Sequence, residues 1–171
     1  MSKAWLMKRR SFRKPNTKSK TPRVRVAVAL LGPEGLLLVR HQKRERSYWL
    51  IPGGGLEFGE SMREAAHREL LEETGLEVEV GSFLMAAESL APDRTRHVVH
   101  VIFRGQVSGG TLRLGDEHME PHERRIVEVR WVPLEEVRKV VMHPPFGEQI
   151  ITALQTPDPE RQNFLDNLWV D

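Results

Sequence analysis

Between Val24 and Arg40 the chain reads VRVAVALL, GPEG, LLLVR: two apolar runs around a four-residue turn. Apolar, partly β-branched runs of this length are strands, and Gly32-Pro33-Glu34-Gly35 carries the residues that reverse a chain between them. The fold is thereby committed to a sheet. LEVEVGSFLMAAESL, RHVVHVIFRGQV and IVEVRWVPL read as further strands. Ser61 and Glu64 form the Ser-x-x-Glu pattern of a capping box, so a helix is expected from Met62, with Gly75 placed to end it. Pro133 opens LEEVRKVV as a second helix, and GEQIITALQ reads as a last one. HQKRERS reads as a polar loop, and YWLIPGGG as a short extended piece running into a flexible glycine turn. Strands with helices interspersed indicate an α/β (α+β) sandwich on a mixed sheet.

A chain of 171 residues suggests one domain with a real core. No apolar run reaches the length of a transmembrane helix. Cysteine is absent, which removes disulfides, thiolate metal sites and cysteine nucleophiles and fits a cytoplasmic location. The net charge of +2 conceals an asymmetry: residues 1 to 25 carry ten Lys or Arg and no acid, whereas the rest carries 16 basic against 24 acidic side chains. The expected organisation is a basic arm over residues 1–22, a catalytic domain over 23–157 and a tail over 158–171. No apolar segment follows the arm's basic residues, so a secretory signal is not expected, although an acid-free, Arg-bearing start also suits an organellar transit peptide. An acidic body acting on an anion needs local cations, and the free arm is expected to bind polyanions weakly and without sequence preference.

The stretch RELLEETGL, residues 68–76, poses the functional question. Glu69, Glu72 and Glu73, with Glu64 upstream, would repel one another on a short helix. At about 100° per residue the three later glutamates share an arc of about 100°. Such a face is usually solvated surface. It is also a hard-oxygen ligand set, for which Mg²⁺ or Mn²⁺ converts repulsion into binding. A glycine segment just before the helix lets main chain approach metal or phosphate. Together these suit phosphoryl chemistry.

From Gly54 the spacing continues: Gly54, five residues, Glu60, seven residues, Arg68-Glu69-Leu70, one residue, Glu72-Glu73, one residue, Gly75-Leu76. Seven fixed residues at background frequencies near one in fifteen coincide by chance roughly once in 10⁸ starts. The pattern resembles the signature of the Nudix hydrolases at every defined position, and the resemblance extends over about Arg23 to Gln155. It implies an α/β/α sandwich with a loop–helix–loop motif and metal-dependent hydrolysis of nucleoside diphosphates linked to another moiety. It further implies metal binding by Glu69, Glu72 and Glu73 with the carbonyl of Gly54, bracing of the motif by Glu60 and Arg68, and, in many relatives, a homodimer.

The general base of such enzymes often lies on a later loop. Here LGDEHMEPHERRIVEV offers Glu117, Glu120 and Glu123, with His118 and His122 beside them; Glu123 and Glu120 are the best placed, and Glu69 is next if neither serves. His67, His97 and His100 read as structural. Arg40, Arg94, Arg96 and Arg104 are candidate cations for a diphosphate. Trp49, with Tyr48, Phe83 and Phe103, could stack on a base, though core packing is the commoner use of strand aromatics. Pro92 stands sixteen residues beyond Leu76, close to where ADP-ribose pyrophosphatases of the family carry a marker proline; a plain turn explains it equally. The leading expectation is hydrolysis of ADP-ribose or another nucleotide sugar. The alternatives are a nucleoside triphosphate or capped or 5′-triphosphate RNA as substrate, and a non-catalytic nucleotide-binding module.

Overall fold

The computed structural model describes residues 21–115, 125–156, 164–165 and 168. The hairpin expected from the first apolar runs is present: β1 (Arg23–Gly32) and β2 (Gly35–Lys43) pair at Leu31 with Leu36 and at Gly32 with Gly35. Beyond the turn the two strands take different partners. β2 pairs with β3 (Arg46–Leu50) and β7 (Arg125–Val132), both antiparallel. β1 pairs antiparallel with β4 (Gly53–Gly55) and parallel with β6 (His97–Gly110). β5 (Leu76–Leu90) lies antiparallel to β6, and β8 (Phe164–Leu165), within the segment expected as a tail, runs parallel to β5. The result is a mixed eight-stranded sheet.

β1 is apolar at successive positions because both its faces are covered. Val26, Val28 and Leu30 pack with Ala65, Ala66 and Leu70 of α1 (Met62–Thr74). The alternate residues Ala27 and Ala29 join a second cluster containing Phe146 and, from α3 (Gly147–Gln155), Ile150, Ile151 and Leu154. Full burial of side chains such as Ile150 and Ile151 contributes on the order of 1.5–3 kcal/mol each before conformational entropy is counted. Helices therefore cover both faces, giving the expected sandwich. None of the described helices is long and apolar enough to cross a membrane.

Three local expectations need correction. The glycine segment is a strand, not a turn: Gly53, Gly54 and Gly55 pair with Ala27, Val26 and Arg25. HQKRERS is not a loop either. β2 runs to Lys43, Arg44 turns the chain at φ 54°, and β3 starts at Arg46. The helix expected over LEEVRKVV is one turn, α2 (Leu134–Val137). It stops there because Trp49 takes the next main chain: the Trp49 amide donates to Val141 O (2.8 Å) and the His143 amide donates to Trp49 O (3.0 Å).

Candidate active site

α1 begins and ends as its sequence dictates. The Glu64 amide donates to Ser61 Oγ (3.3 Å), the Ser61 amide donates to the Glu64 carboxylate (2.7 Å), and Gly75, at φ 70°, donates its amide to Leu71 O. Hydrogen bonds from the Ser61 amide and hydroxyl to its carboxylate hold the Glu64 carboxyl below its ordinary range. Glu64 thus caps the helix and does not join the other acids.

The repulsion among those others is offset by one guanidinium. Arg68 donates to both oxygens of Glu60 (2.8 and 3.2 Å), to Glu69 (2.9 Å), to Glu72 (3.2 Å) and to the Gly55 carbonyl (3.2 Å). The Arg68 hydrogen bond lowers the pKa of Glu60. Glu69 moves the opposite way. It is buried, and desolvation raises its pKa against the pull of Arg68. Its carboxylate rests on the glycine strand, where a Cβ on Gly54 would come within 2.1 Å of it. A side chain at Gly54 would therefore displace the Glu69 carboxylate from this position. Glu73 is deeper still, at 3% exposure, and accepts the Gly53 amide at 2.7 Å. Glu72 stays exposed.

Arg25, absent from the expected site residues, underpins this arrangement. Its guanidinium donates to the carbonyls of Ile51 and Gly53, and its charge acts on Glu69. A charged residue inside an otherwise apolar strand was the available signal for it.

Gly54, Glu60, Arg68, Glu69, Glu72 and Glu73 are thus gathered where β4 meets α1. As they stand, no three His, Cys, Asp or Glu side chains among the described residues converge around one point, because Arg68 and the Gly53 amide engage the carboxylates. The donor set nonetheless fits a hard dication. Arg68 Nη1 already bridges Glu69 and Glu72, and two of the three carboxylates are buried against main chain without side chains.

The other candidates are dispersed. Arg40 pairs with Glu128 (2.7 Å) and lies 5.8 Å from the Trp49 ring, with Arg130 5.0 Å from the same ring. Trp49 is buried in the core. Arg104 donates to the carbonyls of Ala153 (2.8 Å) and Leu154 (3.1 Å) at the end of α3. Arg94 and Arg96 are exposed in the β5–β6 turn beside Pro92. Tyr48 packs edge-on to His143, and Phe83 edge-on to Phe103. His100 is buried and hydrogen-bonded with Ser89 (3.2 Å), His97 meets Glu88 (2.6 Å), and His67 is exposed.

Glu117, Glu120 and Glu123, with His118 and His122, lie outside the described residues, as do residues 1–20 of the arm. The chain leading to those glutamates is anchored on the C-terminal end of α1: the amides of Thr111, Arg113 and Gly115 donate to the carbonyls of Gly75, Thr74 and Glu73 (3.2, 2.9 and 3.0 Å).

Comparison with known proteins agrees with this geometry. The model of the NUDIX domain matches residues 21–154. An ADP-ribose pyrophosphatase from Methanocaldococcus jannaschii is 39% identical over 85 residues, 50% of this chain and 50% of that protein, so the match spans half of that relative's length. Phosphatase NudJ from Shigella boydii serotype 4 is 32% identical over 120 residues, 69% of this chain and 72% of that protein. A NUDIX hydrolase structure from Nitrosomonas europaea superposes with a TM-score of 0.66 at 26% identity, covering 79% of this chain and 89% of that one. With the full glutamate pattern on one capped helix and a family match over most of its length, this chain belongs to the NUDIX hydrolase family.

Proposed function

We propose that the protein cleaves the diphosphate linkage of a nucleoside diphosphate derivative, with ADP-ribose or another nucleotide sugar as the leading substrate class. The observation that carries the proposal is the burial of Glu69 and Glu73 against the main chain of Gly53 and Gly54. Buried carboxylates are costly unless paired, and here they are held beside a strand stripped of side chains. Glu69, Glu72 and Glu73, with the Gly54 carbonyl, would hold Mg²⁺ or Mn²⁺. When bound, the dication supplies charge stabilisation to the phosphoryl oxygens and acidifies water.

The chain's own residues do the rest. Arg68 and Glu60 brace the approach to the helix, and Arg25 fixes the carbonyls of Ile51 and Gly53. A carboxylate from the 116–124 segment, Glu123 or Glu120, takes the proton of the attacking water. The water oxygen bonds to one phosphorus as the bridging phosphorus–oxygen bond breaks, and the leaving phosphate departs with that bridging oxygen. For ADP-ribose the products are AMP and a sugar phosphate.

The ADP-ribose pyrophosphatase relative supports the substrate class, as does Pro92 at an exposed turn. The test is a nucleotide panel with Mg²⁺ or Mn²⁺, scored by product identity. AMP plus sugar phosphate is the expected outcome. A kcat/KM for a nucleoside triphosphate ten times above that for every diphosphate sugar reverses the ranking, and no turnover of any nucleotide, capped RNA included, leaves a binding module.

A further inference from the structure

We infer that Arg23 and Phe58 are substrate-binding residues, Arg23 taking phosphate oxygens and Phe58 stacking on the base of a nucleoside diphosphate in the cleft beside Glu69. The identity of the anion rests on the function proposed above; the two residues are not among those the motif identifies.

The cleft measures about 730 Å³ and is lined by Arg23, Gly55, Leu56, Phe58, Glu60 and Glu69, among others. That volume suits a nucleotide-sized molecule. An anion entering it needs a cation, and the nearby arginines are committed: Arg68 holds three carboxylates and Arg25 holds two carbonyls. Arg23 is the one basic side chain among the described residues that line the cleft, and no ion pair or side-chain hydrogen bond engages its guanidinium there. A guanidinium nitrogen of Arg23 lies 3.2 Å from where a Cβ on Gly55 would stand, and the Glu69 carboxylate meets the same position on Gly54. Neighbouring positions of a strand face opposite ways, so Arg23 and the Glu69 carboxylate approach β4 from its two faces without pairing, and both line the cleft. From its own wall of the cleft the planar guanidinium can grip phosphate oxygens of a ligand that reaches Glu69.

Phe58 completes the cleft. Its ring is fully exposed, at 109% relative exposure, on the loop between β4 and α1. The loop is not loose: the Glu57 amide donates to Glu60 at 2.7 Å, and Glu60 is itself held by Arg68. Isolated exposed apolar residues are ordinary. This one faces a cleft with a free cation on a braced loop, and an aromatic ring there offers a stacking surface for a base.

The experiment is calorimetric titration of the full chain in Mg²⁺ with ADP and, separately, with inorganic pyrophosphate, alongside steady-state turnover and Tm. Arg23→Ala should weaken both ligands about tenfold, raise KM similarly, leave kcat within about threefold and leave Tm unchanged. Arg23→Lys should recover part of the affinity. Phe58→Ala should weaken ADP about tenfold while sparing pyrophosphate. Unchanged ADP affinity in either alanine variant overturns the inference, as does a Tm loss with falling kcat in Arg23→Ala, or a wild-type protein that does not bind ADP. A wild-type protein that binds ADP but turns over no nucleotide defeats the proposed function instead, and the variants then still test the cleft.

Discussion

The Glu73 carboxylate accepts the Gly53 amide at 2.7 Å across twenty residues of sequence, and almost none of it reaches solvent. A buried carboxylate fixed by a main-chain donor stays aimed whatever the surrounding side chains do. The glycine strand and the helix thus form one unit, with β1 holding the strand in register on its other side.

Glu73→Gln keeps an oxygen to accept the Gly53 amide and removes the charge. Turnover should fall on the order of 10³-fold with the fold retained. Near-normal activity in a protein with unchanged circular dichroism would rule out the glutamate face as the catalytic centre.

If Glu123 is the base, Glu123→Gln lowers kcat about 10²- to 10⁴-fold with little change in KM. The same result from Glu120→Gln moves the assignment by three residues. Should both variants turn over normally, the base lies within the motif and Glu69 is the residue to replace next.

Burial raises the Glu69 pKa above its ordinary 4.5, so the folded protein favours the protonated form more than the unfolded chain does. The resulting stability is present below the unfolded value and is lost as pH rises through the folded value. In chelator, therefore, Tm should fall more for wild type than for Glu69→Gln as pH rises from about 4.5 towards neutrality. Added dication should raise the wild-type Tm most at the upper end of that range. Parallel Tm curves for the two proteins would contradict this.

Gly54→Ala puts a methyl group where the Glu69 carboxylate lies, 2.1 Å away. Overpacking of this kind costs about 1–3 kcal/mol. In a Glu69→Ala background the same substitution should cost at least 1 kcal/mol less, by about the size of the removed clash. Additive denaturation midpoints across this double-mutant cycle would show that the collision does not matter.

Deleting residues 1–21 removes eight of the ten positive charges found in residues 1–25 and leaves Arg23 in place. Binding to an unrelated oligonucleotide should disappear, together with its salt dependence, while turnover of a small nucleotide persists. Anisotropy across a salt series, run beside a turnover assay, measures both. Undiminished binding by the truncated chain would place the contact elsewhere.

Features written in local patterns were legible in the sequence. Ser61, Glu64 and Gly75 announced the ends of α1, and the apolar runs announced the central strands, because each depends on residues a few positions apart. Features set by distant partners were not. Three glycines have poor strand propensity, so β4 depends on hydrogen bonds from distant partners, the β1 main chain and the Glu73 carboxylate. Likewise, Arg40 and Arg104 looked like cations awaiting a phosphate. The structure spends them on Glu128 and on the end of α3, contacts no local pattern shows. By charge Arg23 falls among the basic residues 1–25, although it opens β1 beside the cleft.

The closure of α1 by the amides of Thr111, Arg113 and Gly115 has a consequence for how such an enzyme can diversify. These contacts use main chain on both sides, so side-chain replacement at Thr111 or Arg113 erases neither of the hydrogen bonds those residues donate. Gly115 is the exception, since a Cβ there would fall 1.9 Å from the Glu72 carbonyl. The approach to the segment of the base candidates can therefore vary in its side chains at Thr111 and Arg113 while the C-terminal end of α1 stays closed.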